Sequence, residues 1–205
     1  LEYLKILINS LKRNSKFKNE IILHVNEGAD GTIQYVKENN IKHTYTKNNV
    51  GLCTATNLAA SKATSNYILY SHDDMYFCPD WDQFLMNEIS NLNTNAYYIS
   101  GTMIEKSSGH IQLDCGNDFK DFDEEKLLRE HKKIKFFDHQ GSHWAPHLIH
   151  KSLWDKVGGF SEEFNPGDGS DPDFCMKLWN ENVRIFKCLS KFKVYHFGSV
   201  TTRKR

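Results

Sequence analysis

Residues 66–82, NYILYSHDDMYFCPDWD, decide how this chain is read. Tyr67-Ile68-Leu69-Tyr70 is a short apolar-aromatic run of a length that suits a buried strand. It ends abruptly in Ser71-His72-Asp73-Asp74, one imidazole beside two adjacent carboxylates. Pro79 and Asp80 then stop the extended segment. Asp80 is placed to cap a helix carrying Trp81, Phe84, Leu85, Ile89 and Leu92 on one face. Ligands of open α/β sheets bind beyond the carboxyl ends of strands, and carboxylates placed there can hold a divalent cation. The plainer alternative is a solvated loop with two turn-forming aspartates.

Working upstream, Leu4, Leu7, Ile8 and Leu11 fall at helical spacing, and Glu20 to Val25 reads as a buried strand. Asn26 to Thr32 is a polar turn with glycines, in which Asp30 is placed to cap a helix through Ile33 and Val36. Ile41 to Thr46 alternates like a strand. Asn48 to Gly51 is a turn, followed by a small-residue helix with Leu52, Ala55, Ala59 and Ala63 facing inward. The order α-β-α-β-α-β predicts a mostly parallel sheet flanked by helices. It also predicts a first strand ahead of Leu1, which would carry part of any nucleotide pocket.

Downstream the pattern is less regular. Ala96 to Met103 and His110 to Asp114 read as strands joined by a Ser107-Ser108-Gly109 turn. Asp121 to Lys135 is dense in alternating charge and reads as a solvated helix or flap. Ala145 to His150 reads as a strand, and Ser152 is placed to cap a helix with Leu153, Trp154 and Val157. Asp171-Pro172 opens a helix bearing Phe174, Leu178 and Trp179, with proline suited to the first helical position. Phe192 to Phe197 reads as a closing strand, and Thr201 to Arg205 as a basic tail. One domain over 1–205 is expected, with unequal halves at 1–95 and 96–205 and no second hydrophobic core.

The chain has 205 residues, with 26 basic and 26 acidic side chains, so its charge gives no support for a nucleic-acid partner. No apolar run approaches the roughly 18 residues of a membrane span. The five cysteines (Cys53, Cys78, Cys115, Cys175, Cys188) are widely spaced without CxxC and read as reduced thiols. The expected location is cytoplasmic, with peripheral membrane association left open.

Three further stretches carry candidate chemistry. Gly158-Gly159-Phe160 to Asp173 is a glycine-rich loop that delivers Asp168, Asp171 and Asp173 to a helix start. A carboxylate there can serve as general base, though Asp171 also reads as an ordinary helix cap and Asp168 as a turn residue. His196, in Tyr195-His196-Phe197-Gly198-Ser199, reads as a metal ligand or as a core imidazole. His139, His143, His147 and His150 surround Trp144; the His143-x3-His147 spacing suits zinc only on a helix, and Pro146 argues against one.

Taken in order, a strand-end pair of aspartates, a GGF loop, an aspartate at a helix start and a strand-end histidine resemble the family 2 glycosyltransferases of the GT-A fold. Val25-Asn26-Glu27-Gly28-Ala29-Asp30-Gly31-Thr32 is similar to the family's nucleotide-binding turn, and Asn49-Val50-Gly51 through Asn57 to its NxGxxxAxN helix start. Tyr67 to Asp74 falls where the family has DxD, and Val157 to Asp173 resembles GGFDE…EDxD. The chain departs from the pattern at His72 for the first Asp of DxD, at Asn26-Glu27 for two aspartates, and at Ser170 for the Glu before the base.

The resemblance implies a GT-A fold with a nucleotide-sugar-binding half (1–95) and an acceptor-side half (96–205). It also implies inverting, metal-dependent transfer of a sugar from a nucleotide diphosphate, UDP- or GDP-linked, to a glycan or lipid-linked acceptor hydroxyl. Asp171 is then the base, and Asp74 with His196 the holders of Mn2+ or Mg2+. Asn26 and Glu27 face the nucleotide base or ribose, and Asn57 belongs to the donor site. His72 and Asp73 line the ribose and diphosphate, and Trp144 with His143 meets donor sugar or acceptor. A nucleotidyltransferase and a non-catalytic sugar-binding relic of the same fold remain as alternatives, and membership in a longer multidomain chain is left open.

Overall fold

In the computed structural model, which describes residues 1–198, the first half alternates helix and strand as the periodicity predicts. α1 (Glu2–Asn14) buries Leu4, Leu7 and Ile8 and leads to β1 (Ile22–Asn26). α2 (Thr32–Glu38), β2 (Lys42–Thr46), α3 (Gly51–Ala60), β3 (Tyr67–Tyr70), β4 (Met75–Phe77) and α4 (Trp81–Ser90) follow. The second half contains β5 (Tyr97–Glu105), β6 (Ile111–Gln112), α5 (Glu124–Glu130), β7 (His139–Gln140), β8 (His147–His150), α6 (Lys151–Val157), α7 (Ser170–Asn180) and β9 (Ile185–His196). Ser199 and the basic stretch Thr201–Arg205 lie outside the described residues.

β1 and β2 pair in parallel, and the main sheet has the order β3-β8-β5-β9-β4, with β6 beside β5 and β7 beside β9. The sheet is more mixed than the element order predicts. β8 runs antiparallel to both β3 and β5, and β4 antiparallel to β9, while β5 and β9 are parallel. The helix-strand alternation that implies parallel crossovers holds only as far as β3. The chain then turns back through Ser71–Asp74 alone, far too short for a crossover helix. The expected pair of strands around Ser107–Gly109 is also different. β6 is two residues long and parallel to the end of β5, because His110 folds back and Met103 N–H donates to its Nδ1 at 2.9 Å.

Several helix starts differ from expectation. Asp80 occupies the N-cap of α4, but with a left-handed backbone (φ 67°) its carboxylate makes no cap bond and pairs with Lys16 at 3.0 Å. Asp82 is the organising carboxylate there, accepting from Lys16 N and Phe17 N at 2.9 Å and so tying the α1–β1 link to α4. Gly31 is the N-cap of α2, while Asp30 still accepts from Thr32 N at 3.1 Å. The α6 cap is His150, whose Nδ1 accepts from Ser152 N.

The main core gathers both faces of β3, β5 and β8 with α1, α4 and α7, including Ile8, Ile68, Leu85, Ile99, Ile149 and Phe174. A second, smaller core contradicts the expectation of one. Alternate strand residues point to opposite faces, so Tyr76, Ile104 and Tyr195 turn away from the main core and meet Ile111, Cys115 and Leu127. The charged 121–135 stretch supplies the cover: α5 presents fully buried Leu127 to this face. All five cysteines are free thiols.

β1 and β3 do not pair. Between their facing edges lies a cavity of about 530 Å³ lined by Ile8, Ile22, Ala59, Ile68, Trp81 and Leu85, with Asp73 at one end. No helix among the described residues is long and apolar enough to cross a membrane.

Candidate functional site

Strand pairing builds the first part of the site. β4 starts directly after Asp74 and pairs with β9 so that Met75 stands opposite His196. The Phe197 N–H donates to the Asp74 carbonyl at 3.1 Å, fixing the two segments together. His196 Nε2 consequently lies 3.4 Å from Asp74 Oδ1. His72 completes the group: one ligand-type atom from each of His72, Asp74 and His196 lies within 4.8 Å of the others. The His72 ring is 5.9 Å from that of His196 and 5.5 Å from Tyr70. Asp73 is exposed at the edge of the cavity between β1 and β3.

Glu105, which the sequence reading does not single out, belongs here too. β5 and β9 pair in parallel with Ile104 opposite Tyr195, and this register brings the next residue of each strand together. Glu105 Oε1 and His196 Nδ1 are 2.6 Å apart. No local motif marks Glu105; only the register of two strands far apart in sequence reveals it. With Nδ1 engaged, His196 Nε2 is buried without a hydrogen-bond partner. Burial opposes ionisation of Asp74, but His196 and His72 outweigh it and hold the carboxyl below its usual range. Burial also opposes protonation of His196, yet Asp74 and Glu105 together raise its pKa. Burial lowers that of His72. A buried imidazole nitrogen without a partner, beside a carboxylate held ionised, is a donor set that fits a divalent cation.

The second part is Asp171. The helix-cap alternative does not hold: Gly169 is the N-cap of α7, and Asp171 lies within the first turn with Pro172 after it. Asp171 Oδ1 is buried without a hydrogen-bond partner. Burial pushes the carboxyl up to about 6, with the charge of His143 pulling the other way. Cys175, one turn on, faces the carbonyl of Ser142 at 4.0 Å, so this face of α7 looks onto the 141–144 loop. Tyr70 bridges the two parts. Its ring packs on His72 at 5.5 Å and Phe160 at 5.1 Å, and burial together with the Asp171 charge pushes its phenol up.

The remaining expected residues are placed as follows. Asn26 Oδ1 accepts from Val50 N at 3.1 Å and Thr46 Oγ1 at 3.2 Å, which joins the β1 and β2 loops; Glu27, at φ 62°, is exposed beside it. Asn57 is occupied by protein: its Oδ1 accepts from Phe160 N and its Nδ2 donates to Phe160 O, each at 2.9 Å. Trp144 donates from Nε1 to the Gly101 carbonyl at 3.0 Å and packs on His110 at 4.3 Å and His143 at 5.2 Å. His147 is a core residue, held by Tyr98 at 2.8 Å and kept neutral by burial, which lowers its pKa to about 3. The zinc spacing thus brings no metal group together among the described residues.

The structure superimposes on solved proteins of one fold. TarS residues 1–349 from S. aureus match with a TM-score of 0.70 and 17% identity, over 95% of this chain and 56% of that one. The same TarS fragment in complex with UDP-GlcNAc gives 0.69 and 17%, over 97% and 58%. GalNAc-T7, solved with UDP, GalNAc and Mn2+, gives 0.67 and 18%, over 93% and 40%. The chain therefore spans less than two thirds of these proteins, and the likeness shows a shared GT-A architecture. No curated protein matches the sequence. The sequence profile of "Glycosyl transferase family 2" covers residues 1–152, and the chain belongs to that family.

Proposed function

We propose that this domain transfers a sugar from a nucleotide-diphosphate sugar to an acceptor hydroxyl, in one inverting displacement that depends on a divalent cation. The observation that carries this reading is a buried, unpartnered carboxyl with a pKa near 6, Asp171, set across Tyr70 from the His72–Asp74–His196 group. A base must be ionised yet basic enough to accept a proton, and a pKa near the working pH meets both conditions.

Asp171 takes the proton from the acceptor hydroxyl as that oxygen attacks the anomeric carbon. The 143–144 segment, with the exposed imidazole of His143 near Asp171 and the half-buried ring of Trp144 packed on His143, positions the acceptor or the transferred sugar. Asp74 and His196 hold the cation. When bound, it acts as a Lewis acid toward the negative charge that develops on the leaving diphosphate. Asn26 and Glu27 present the β1 loop to the nucleoside, with Asp73 beside the diphosphate. Asn57 acts indirectly, by fixing the Phe160 loop that forms the wall. The UDP complexes of TarS and GalNAc-T7 support a UDP-linked donor, and a glycan or lipid-linked molecule fits as acceptor.

Asp171→Asn tests the reading. Transfer should fall by at least about 100-fold, the scale of general-base catalysis, while nucleotide binding stays within twofold. Unchanged turnover removes Asp171 from the mechanism.

A further inference from the structure

The resemblance places His72 beside the diphosphate, as a substitute for a carboxylate. The geometry points elsewhere. We propose that His72 is a third metal ligand, so that this chain holds its cation with two imidazoles and one carboxylate, oriented by Glu105, and selects a transition-metal ion over Mg2+. The proposal rests on the metal-dependent reading above and adds to it the ligand set and the choice of ion.

Three observations carry it. The donor atoms of His72, Asp74 and His196 share one space, none more than 4.8 Å from another. His196 is aimed: Glu105 engages Nδ1 at 2.6 Å, which fixes the ring and leaves buried Nε2 facing Asp74 with no hydrogen-bond partner. A carboxylate on the far nitrogen is the arrangement that orients metal-binding imidazoles and raises their donor strength. The His72 imidazole, finally, packs against the rings of Tyr70 and His196 and makes no hydrogen bond to protein among the described residues, so its nitrogens are free to bind.

The chemistry of the donors sets the ion. Mg2+ prefers an all-oxygen octahedral shell and gives up water reluctantly. Imidazole donors favour Mn2+ weakly and Co2+, Ni2+ and Cu2+ progressively more, with Zn2+ below Cu2+, along the usual stability order. Replacing an aspartate of DxD by His72 therefore shifts the site away from Mg2+. It also removes one negative charge, leaving Asp74 as the single anionic ligand. Three protein ligands leave further coordination positions for diphosphate oxygens or water.

The test uses metal-stripped protein without nucleotide, titrated with Co2+ and Mg2+. Co2+ binding is followed by its visible absorption and both ions by calorimetry. The expected result is Co2+ binding at least 100-fold tighter than Mg2+, with a spectrum characteristic of nitrogen ligation. His72→Asn, close in size to histidine, should weaken Co2+ by at least tenfold. His72→Asp should narrow the Co2+/Mg2+ ratio by at least tenfold, with the melting temperature of both metal-free variants unchanged. Glu105→Gln should weaken Co2+ by about tenfold, as loss of such an orienting partner does. If Asp74→Ala abolishes Co2+ binding while both His72 variants bind it like the wild type, the third ligand is overturned and the transferase reading stands. A wild-type Co2+/Mg2+ ratio near one overturns the selectivity in the same way. Absence of binding by either ion contradicts both.

Discussion

Burial without a hydrogen-bond partner gives the Asp171 carboxyl a pKa of about 6, and this makes its ionisation unfavourable to the fold. The direction follows from linkage. The folded state holds the proton more tightly than the unfolded chain, so stability is undiminished below the ordinary carboxylate pKa and falls as pH rises towards 6. Above that the cost is complete, on the order of 1–3 kcal/mol. Asp171→Asn should therefore be more stable than the wild type at pH 8, and the difference should vanish by about pH 3; urea melts at the two pH values check it. The same group gives the activity an acid limb. The transfer rate should drop about tenfold per unit below an apparent pKa near 6, read from initial rates at saturating donor. Half of this residue's character was legible in the sequence. A glycine-rich loop ending in Asp at a helix start allowed both a cap and a base, and only the N-cap at Gly169 and the unpaired Oδ1 separate them.

Two asparagines bind the glycine-rich loop to α3. Asn57 engages both backbone groups of Phe160, and Asn165 Oδ1 accepts from Cys53 N at 3.0 Å while its Nδ2 donates to Thr54 Oγ1 at 2.9 Å. Gly159 makes the first clamp possible: its φ is 65°, and a Cβ there would stand 2.3 Å from Asn57 Oδ1. Asn57→Ala leaves a backbone donor and acceptor unpaired and should cost about 2 kcal/mol. Gly159→Ala should cost about as much in the wild type through both backbone conformation and collision. In the Asn57→Ala background its cost should be smaller by about 1 kcal/mol, because the collision partner is gone; a double-mutant cycle by urea denaturation measures the coupling. At this scale the sequence reveals elements better than their joints. Hydrophobic periodicity locates α1, α4, β3 and only the end of β9, whose first residues from Ile185 onward it leaves unassigned. The caps at Gly31, His150 and Gly169 depend on turn geometry that periodicity does not encode, and Glu105 meets His196 only through the register of β5 on β9.

At the scale of the molecule, the sheet is divided along one line. β1 pairs only with β2 and β3 only with β8 among the described residues, and the apolar cavity between them has strand edges on two sides and α1, α3 and α4 residues around it. α1 begins at the carboxyl end of β1, where the Leu1 amino group meets Asp30 at 2.9 Å. A strand in the cavity running parallel to β1 would thus enter α1 directly, completing a crossover unit. Adding an apolar run of about six residues ahead of Leu1 should raise stability. A net gain of about 2 kcal/mol corresponds to about 4–8 °C in a domain of this size. The amides of β1 and β3 should become protected from hydrogen exchange; unchanged exchange at both edges contradicts the pairing. The α-β alternation made this strand an expectation from sequence. The reversal of β8 and β4 was not readable there, because it depends on which strands become neighbours rather than on any local pattern.

Metal-dependent donor binding is tested by the melting temperature with UDP, with and without Mn2+, in the wild type and in Asp74→Ala. Binding to the folded state raises melting by mass action. The expected result is a rise with UDP that requires Mn2+ in the wild type and is lost in Asp74→Ala. A UDP shift that is the same with and without the cation, or that survives in Asp74→Ala, would contradict it.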